Sequence, residues 1–313
     1  MNAIAKYISQ LQVGEPQHYQ NLGIIPLFGK EGGLDYLTLD QAINPDLEQR
    51  LKITETREVP VLKCKNDTGK KILILPGDYL VGGSQNRMIL NAILMDEQYH
   101  GNINVNCVEK NRWNHNMPKN FTSSSRRVSS SVRRASTYSQ RETWSAVNNL
   151  AREYGTTSQT GDIDGTYEKN EYELEKYFKN FSFQPGAVGM VSVLKPNGNL
   201  IYHADIFDKS STLQNNFEKI LKSYALESLN GKKVKVSSEQ VKSFLNLASK
   251  VNLEKKKGVS LGKETIFSND KIHGNGLIYK KEPVYISLST ADKPQTEDVE
   301  TGPVGLLGRL TRR

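Results

Sequence analysis

Apolar positions along this chain follow two periods, and the change between them divides the sequence. From residue 20 to 109, short β-prone runs alternate with Gly, Pro and Asn-Asp turns. They predict strands at Leu22–Phe28, Leu51–Thr56, Val59–Lys65, Lys71–Leu75, Asp78–Val81, Arg87–Met95 and Ile103–Val108. A brief helix at Leu39–Ile43 interrupts them, and Ala3, Ile4, Ile8 and Leu11 fall at the spacing of a short first helix. From 126 to 180 the period turns helical, at Arg141–Tyr154 and Tyr167–Phe181. Strands Ala187–Leu194 and Asn199–Phe207 follow, joined by the turn Pro196-Asn197-Gly198. Ser210 and Ser211 open the clearest helix, lined by Leu213, Phe217, Ile220, Leu221 and Tyr224 and ended by Asn230-Gly231. Ser237 with Gln240 makes a capping box for the next one, whose Val241, Phe244, Leu245 and Ala248 face inward. Strands return at Leu253–Lys257, Lys263–Ser268, Ile272–Tyr279 and Pro283–Ser289.

Strands, then helices, then strands again predict an α+β fold: mostly antiparallel, β-sandwich-like sheets with several helices packed on one side. No Pro- or Gly-rich linker marks a boundary, so residues 1–290 are expected to form one domain, with a β-rich half at 20–113 and a helical and β half at 114–290. Residues 291–313 are polar and turn basic, and are expected to be a disordered tail.

The chain has 313 residues, 36% of them hydrophobic, enough for a packed core. No run approaches the roughly 18 apolar residues that cross a bilayer, so no membrane partner is expected. The N-terminus lacks the apolar core of a signal peptide, and the expected location is cytoplasmic. Cys64 and Cys107 each follow an apolar residue by two places and read as small hydrophobes in strands, with a disulfide open but unneeded. Net charge is +8, and one window carries it: Lys110 to Arg141 holds eight Lys or Arg and no acid. Only there does charge call for an anionic partner.

Candidate chemistry gathers between Lys71 and Trp113. Asp78, Gly82, Gly83, Gln85, Asn86 and Arg87 punctuate two apolar runs, and Glu109, Arg112 and Trp113 end a strand. Unpaired polar groups cost free energy when desolvated, so such residues point to a site or to a polar corner that ties strands together, and both readings stay open. Arg87 offers a fork for carboxylate or phosphate; Glu109 offers a general base or a salt bridge. In Ser123–Arg134 a helix would stack Arg126 over Arg133 and Arg127 over Arg134, a patch for phosphate or nucleic acid, against the reading as a solvated loop. Thr160–Glu171 approaches a calcium loop but has Thr where its first ligand belongs, so helix capping is the better account. The five histidines show no pair at ligand spacing, which leaves no metal site expected. Asp205 and Asp208 bracket Ile206-Phe207 before the long helix, where Asp208 favours the helix's positive end.

Leu80-Val-Gly-Gly-Ser-Gln-Asn-Arg87, Cys107-Val-Glu-Lys-Asn-Arg-Trp113, Asp205-Ile-Phe-Asp208 and Ser223-Tyr-Ala-Leu-Glu227 occur in the order of the ARPP domain family, which this chain resembles over about residues 15–290. That family is named for its association with ADP-ribosylglycohydrolases and rhodanese-phosphatases. The resemblance implies a role near NAD or ADP-ribose metabolism, or in a defence or repair system that uses it. It marks Gly82, Gln85, Asn86, Arg87, Glu109, Arg112, Trp113, Asp205 and Tyr224 as matching positions. Glu227 departs from the expected Asp, and Leu90 from a small polar residue.

Three functions compete. In the first, the protein binds or hydrolyses an ADP-ribose- or NAD-like nucleotide, with Glu109, Asp78 and Asp205 catalytic and Gly82, Gln85, Asn86, Arg87, Arg112, Trp113 and Tyr224 binding. In the second, it is a non-catalytic module whose Arg126, Arg127, Arg133 and Arg134 contact nucleic acid or an acidic protein. In the third, it is an assembly protein and Gln85-Asn86-Arg87 merely ties strands together. Whether it is an enzyme, and with which cofactor, the sequence leaves open.

Overall fold

The eight residues of Ala187–Leu194 are all buried, as a strand covered on both faces must be. This strand sits inside a nine-stranded antiparallel sheet. Its order is Gln12–Val13, Leu22–Phe28, Ala187–Leu194, Ile201–Phe207, Glu282–Thr290, Ile272–Tyr279, Lys263–Ser268 and Glu254–Lys257, with Gln17–Tyr19 also paired to Leu22–Phe28. The computed structural model describes residues 2–291 except 45, 49, 57, 113–118 and 197. Trp113, the centre of the 196–198 turn and the tail beyond 291 therefore lie outside the described residues.

Strand alternation sends side chains to two cores. Val191, Val193, Ala204, Ile206 and Ile286 share one with Ile4 and Ile8 of helix Ala3–Ile8 and with Val241, Phe244 and Leu245 of helix Ser238–Ala248. Met190, Leu194, Phe207 and Tyr285 share the other with Leu213, Ile220, Leu221 and Tyr224 of helix Ser210–Ser228. Helices thus cover both faces of this sheet, the long one on the face that carries Asp205.

Residues 37–127 build a second β layer pair. A six-stranded antiparallel sheet runs Phe121–Arg127, Asp78–Gly82, Arg87–Ile89, His100–Cys107, Val61–Asn66 and Leu51–Glu55. It shares a core with the three-stranded sheet Ile93–Met95, Ile72–Ile74 and Leu37–Thr38, in which the last two pair in parallel. The α+β, mostly antiparallel architecture expected from the pattern is the one found, but helices lie on both faces of the nine-stranded sheet rather than on one side, because its central strands are apolar on both faces. Among the described residues no helix is long and apolar enough to cross a membrane.

Several strands match the pattern to the residue, and the Ser237–Gln240 capping box forms. Three segments differ. Arg87–Met95 is two strands, because Leu90 to Ala92 carry the chain from one sheet to the other. Tyr167–Phe181 is two helices, Asp164–Lys169 and Glu171–Asn180, broken at Asn170, whose amide donates back to the Thr166 carbonyl at 2.8 Å. The serine-arginine stretch is neither one helix nor a loop. Phe121–Arg127 is a strand beside Asp78–Gly82, with a bulge between Ser123 and Arg127, and a helix follows at Ser130–Ser136. Arg126 and Arg133 therefore do not stack along one helix. Both cysteines are free and buried in strands, and burial pushes both thiols up.

Candidate functional site

Asp205 sits on the face of strand Ile201–Phe207 that meets the long helix, and it is fully buried. An isolated carboxylate there would be costly, and the fold supplies three donors to it. Arg127 Nη1 donates to Oδ1 at 2.9 Å, the Tyr285 hydroxyl to Oδ1 at 2.6 Å, and the Tyr224 hydroxyl to Oδ2 at 2.7 Å. The rest of the Arg127 fork is spent on the Pro76 carbonyl, at 3.1 and 2.8 Å, and on Tyr285 at 2.8 Å. Burial alone would push the Asp205 carboxyl up. Arg127, then Arg133 and the bonds from Tyr285 and Arg127, outweigh it and hold the group well below the usual carboxylate range.

Around this buried pair lies a shell of partly buried side chains and one buried histidine. Arg133, on helix Ser130–Ser136, donates to the Val128 carbonyl at 2.7 Å, to Tyr224 at 3.1 Å and to Ser223 at 3.4 Å, and its guanidinium lies over the Tyr224 ring. Gly77, at φ +87, admits it: a Cβ there would stand 2.2 Å from Arg133 Cδ. The His203 ring stacks on Tyr224 at 4.9 Å. Burial, then the charge of Arg133, holds the imidazole down at about 3, so it is neutral at physiological pH. Ser130 Oγ lies 3.3 Å from His203 Nε2 and also donates to the Glu227 carboxylate, while the Ser131 N–H donates to Glu227 at 2.6 Å. A serine has one proton, and a carboxylate only accepts. The imidazole Nε2–H is therefore the donor to Ser130, and the chain runs His203 to Ser130 to Glu227.

The Gln85–Arg112 residues form a second cluster. Arg112 donates to Glu109 at 2.8 Å, to Asn86 Oδ1 at 2.9 Å and to the carbonyls of Gly83 and Gly82 at 3.2 and 3.4 Å. Glu109 also accepts the Asn86 N–H at 3.0 Å, and the Gln85 amide donates to the Glu109 carbonyl at 2.8 Å. Gly82 and Gly83 have positive φ, and a Cβ on either would stand 2.4 Å from Asn120 O or the Phe121 ring. Arg87 is 1% exposed, bonds Gln85 Oε1 at 3.1 Å and lies 3.6 Å from Glu55, and its Nε is buried without a partner. The glycines here let backbone approach backbone, and the amides and arginines answer one another.

Arg87, Glu109 and Arg112 thus come together and Asp205 stands apart. No hydrogen bond or ion pair among the described residues joins it to them. The link between the clusters is indirect: Asn86 donates to Tyr79 at 2.8 Å, and Tyr79 and Arg126 donate to the two oxygens of Asp164 at 2.6 and 2.8 Å. Asp78 accepts the Leu75 N–H at 2.8 Å, and burial pushes its carboxyl up. Arg126 and Arg127 each hold an acid and do not face outward as a phosphate patch; Arg134 is also engaged. Asp162 caps Gly165 at 3.1 Å, and among the described residues no three His, Cys, Asp or Glu gather as metal ligands. Tyr36 donates to Asp208, whose carboxyl burial pushes up to about 6.

Three residues of the shell, Ser130, His203 and Glu227, and Tyr285 of the buried network are absent from the candidate site residues read from the sequence. His203 lies two places before Asp205 on the same strand face, and Glu227 lies one helical turn after Tyr224, so both periods carry a usable signal.

Searches of curated proteins and of solved structures each find no match to this chain. The family model for ARPP-1, the ARG and Rhodanese-Phosphatase-superfamily-associated Protein domain, matches residues 10–289, a span that holds both clusters. With nearly the whole described fold inside that match, the chain belongs to the ARPP-1 family.

Proposed function

We propose that this protein binds an ADP-ribose- or NAD-like nucleotide on the face where Ser130, Arg133, His203 and Glu227 surround the buried Arg127–Asp205 pair. The observation that carries the reading is this convergence. Two arginines, a neutral imidazole and a carboxylate, drawn from four elements, are oriented by two hydrogen-bonded chains, Arg133–Tyr224–Asp205–Arg127 and His203–Ser130–Glu227, which meet where the His203 ring stacks on Tyr224. Arg133 offers its charge to phosphate oxygens, together with the N–H groups left after its bonds to Val128, Ser223 and Tyr224. Glu227 accepts from sugar hydroxyls, and His203 presents one edge of a stacked ring pair. The family's name, which records an association with ADP-ribosylglycohydrolase and rhodanese-phosphatase systems, favours the same ligand class.

Binding has more support than hydrolysis. Asp205 is saturated by three donors, Glu109 is held by Arg112 and the Asn86 N–H, and Asp78 closes a turn. None of these three carboxylates is placed to take a proton from water. The second reading, nucleic acid along the basic segment, loses support because Arg126 and Arg127 are spent on Asp164 and Asp205.

Calorimetric titration with ADP-ribose and NAD, with and without magnesium, tests the proposal. Saturable binding is expected that Arg133→Gln weakens at least tenfold and Arg133→Lys weakens less, since lysine keeps the charge and loses the fork. Absence of binding, or equal binding by Arg133→Gln with its fold intact, overturns it.

A further inference from the structure

The far end of the nine-stranded sheet carries a cavity of about 550 Å³, within the range of small-molecule sites. Ala3 and Ile278 give it an apolar floor, and Lys255, Lys263, Lys280 and Lys281 ring it. No carboxylate lines it, and among the described residues none of the four lysines is in an ion pair. Glu254 is paired with Lys256 at 3.4 Å, on the opposite face of its strand by alternation.

Two further observations show that this concentration of charge is built. Lys257 and Lys263 are direct cross-strand partners, a like-charge pairing that destabilises a sheet when nothing neutralises it. Lys280 and Lys281 form the two-residue turn of the hairpin Ile272–Tyr279/Glu282–Thr290 at φ 48 and 73, positions that favour Asn and Gly. Lysines on an edge strand protect it from pairing with other chains. That role accounts for Glu254–Lys257, whose side chains are all exposed, but not for two lysines in a left-handed turn beside a cavity.

We infer that this cleft is a second binding site, separate from the Arg127–Asp205 network, for a small ligand carrying two or more linked phosphates. Four ammonium groups on flexible stems suit dispersed tetrahedral oxygens, whereas a planar carboxylate is matched by arginine forks, and none line this cleft. A charge of about −3 to −4 would offset the four cations, and the apolar floor would take the ligand's organic part. Gly262 shapes the wall: it has φ +84, and a Cβ there would stand 2.6 Å from the Ile278 carbonyl.

The test is calorimetric titration of the full chain with sodium tripolyphosphate, then with orthophosphate and citrate, at fixed low salt. Saturable tripolyphosphate binding is expected, at least tenfold tighter than either other anion. Combined Lys→Gln substitution at 255, 263, 280 and 281 should weaken it at least a hundredfold, and Lys63→Gln, exposed on the six-stranded sheet, should leave it unchanged. The four side chains are exposed, so circular dichroism of the quadruple variant should match the parent. Absence of binding, citrate binding as tight as tripolyphosphate, or an unaffected quadruple variant each overturns the proposal. So does a single-stranded oligonucleotide that binds more tightly than tripolyphosphate through the same lysines, because the occupant is then a polymer.

Discussion

His203 shows how a neighbourhood sets the chemistry of one side chain. An ordinary histidine titrates near pH ~6.5, and burial beside Arg133 lowers this one to about 3. Between those values the unfolded chain binds a proton that the folded chain refuses. Its contribution to stability is therefore complete above pH ~6.5 and shrinks as the pH falls toward 3. The slope is at most about 1.4 kcal/mol per pH unit. Denaturant unfolding at pH 7, 6 and 5 should show that His203→Gln loses this slope relative to the parent. Equal slopes would contradict a buried, neutral imidazole. Asp208, pushed up to about 6, takes up a proton on folding in the same window with the opposite sign, but it does so in both proteins and cancels in the comparison. Arg127 and Asp205 follow a related logic. Removing either one strands a buried charge, at a cost of about 3–5 kcal/mol.

Elements matter here through the places they force together. The strand Phe121–Arg127 ends in a bulge that turns Arg127 inward to Asp205, while Arg126 reaches Asp164. Helix Gln140–Glu153 docks by a side-chain copy of strand pairing: the Gln140 amide accepts from the Cys107 N–H at 2.7 Å and donates to its carbonyl at 2.8 Å. The Lys280–Lys281 turn gives up local stability, since left-handed backbone costs an ordinary residue roughly 1–2 kcal/mol. Lys280→Asn with Lys281→Gly should raise the melting temperature by about 1–2 °C for each kcal/mol relieved, and weaken tripolyphosphate binding. A melting temperature that stays level or drops would mean the turn is not strained.

At the scale of the molecule, sequence-distant segments share one sheet. Leu22–Phe28 pairs with Ala187–Leu194, and the strands after residue 250 complete the same sheet. The long helix Ser210–Ser228 packs on that sheet and also touches strand Phe121–Arg127 of the other β layer. We therefore propose that residues 1–290 act as one domain. Scanning calorimetry should give a single unfolding transition whose calorimetric and van't Hoff enthalpies agree. Two separable transitions would divide the chain into independent units.

Local pattern determined much of this protein. β-prone runs bounded by turn residues fixed Leu22–Phe28, Ala187–Leu194, Lys263–Ser268 and Ile272–Tyr279, and a capping box fixed the start of Ser238–Ala248, because strand preference and cap chemistry act over a few residues. Asp205 and Tyr224 were visible as positions matching the family, and Arg127 and Arg133 as members of a basic run. Their meeting was not, since Arg127 reaches Asp205 only through a bulge whose Thr-Ser-Ser-Ser run carries no hydrophobic period. Nor could the chain alone separate Glu109 and Arg112 from Asp205, or assemble Lys255 with Lys280. Those distances depend on which strands lie beside one another, and strand order is settled by burial across the whole molecule rather than by neighbours in sequence.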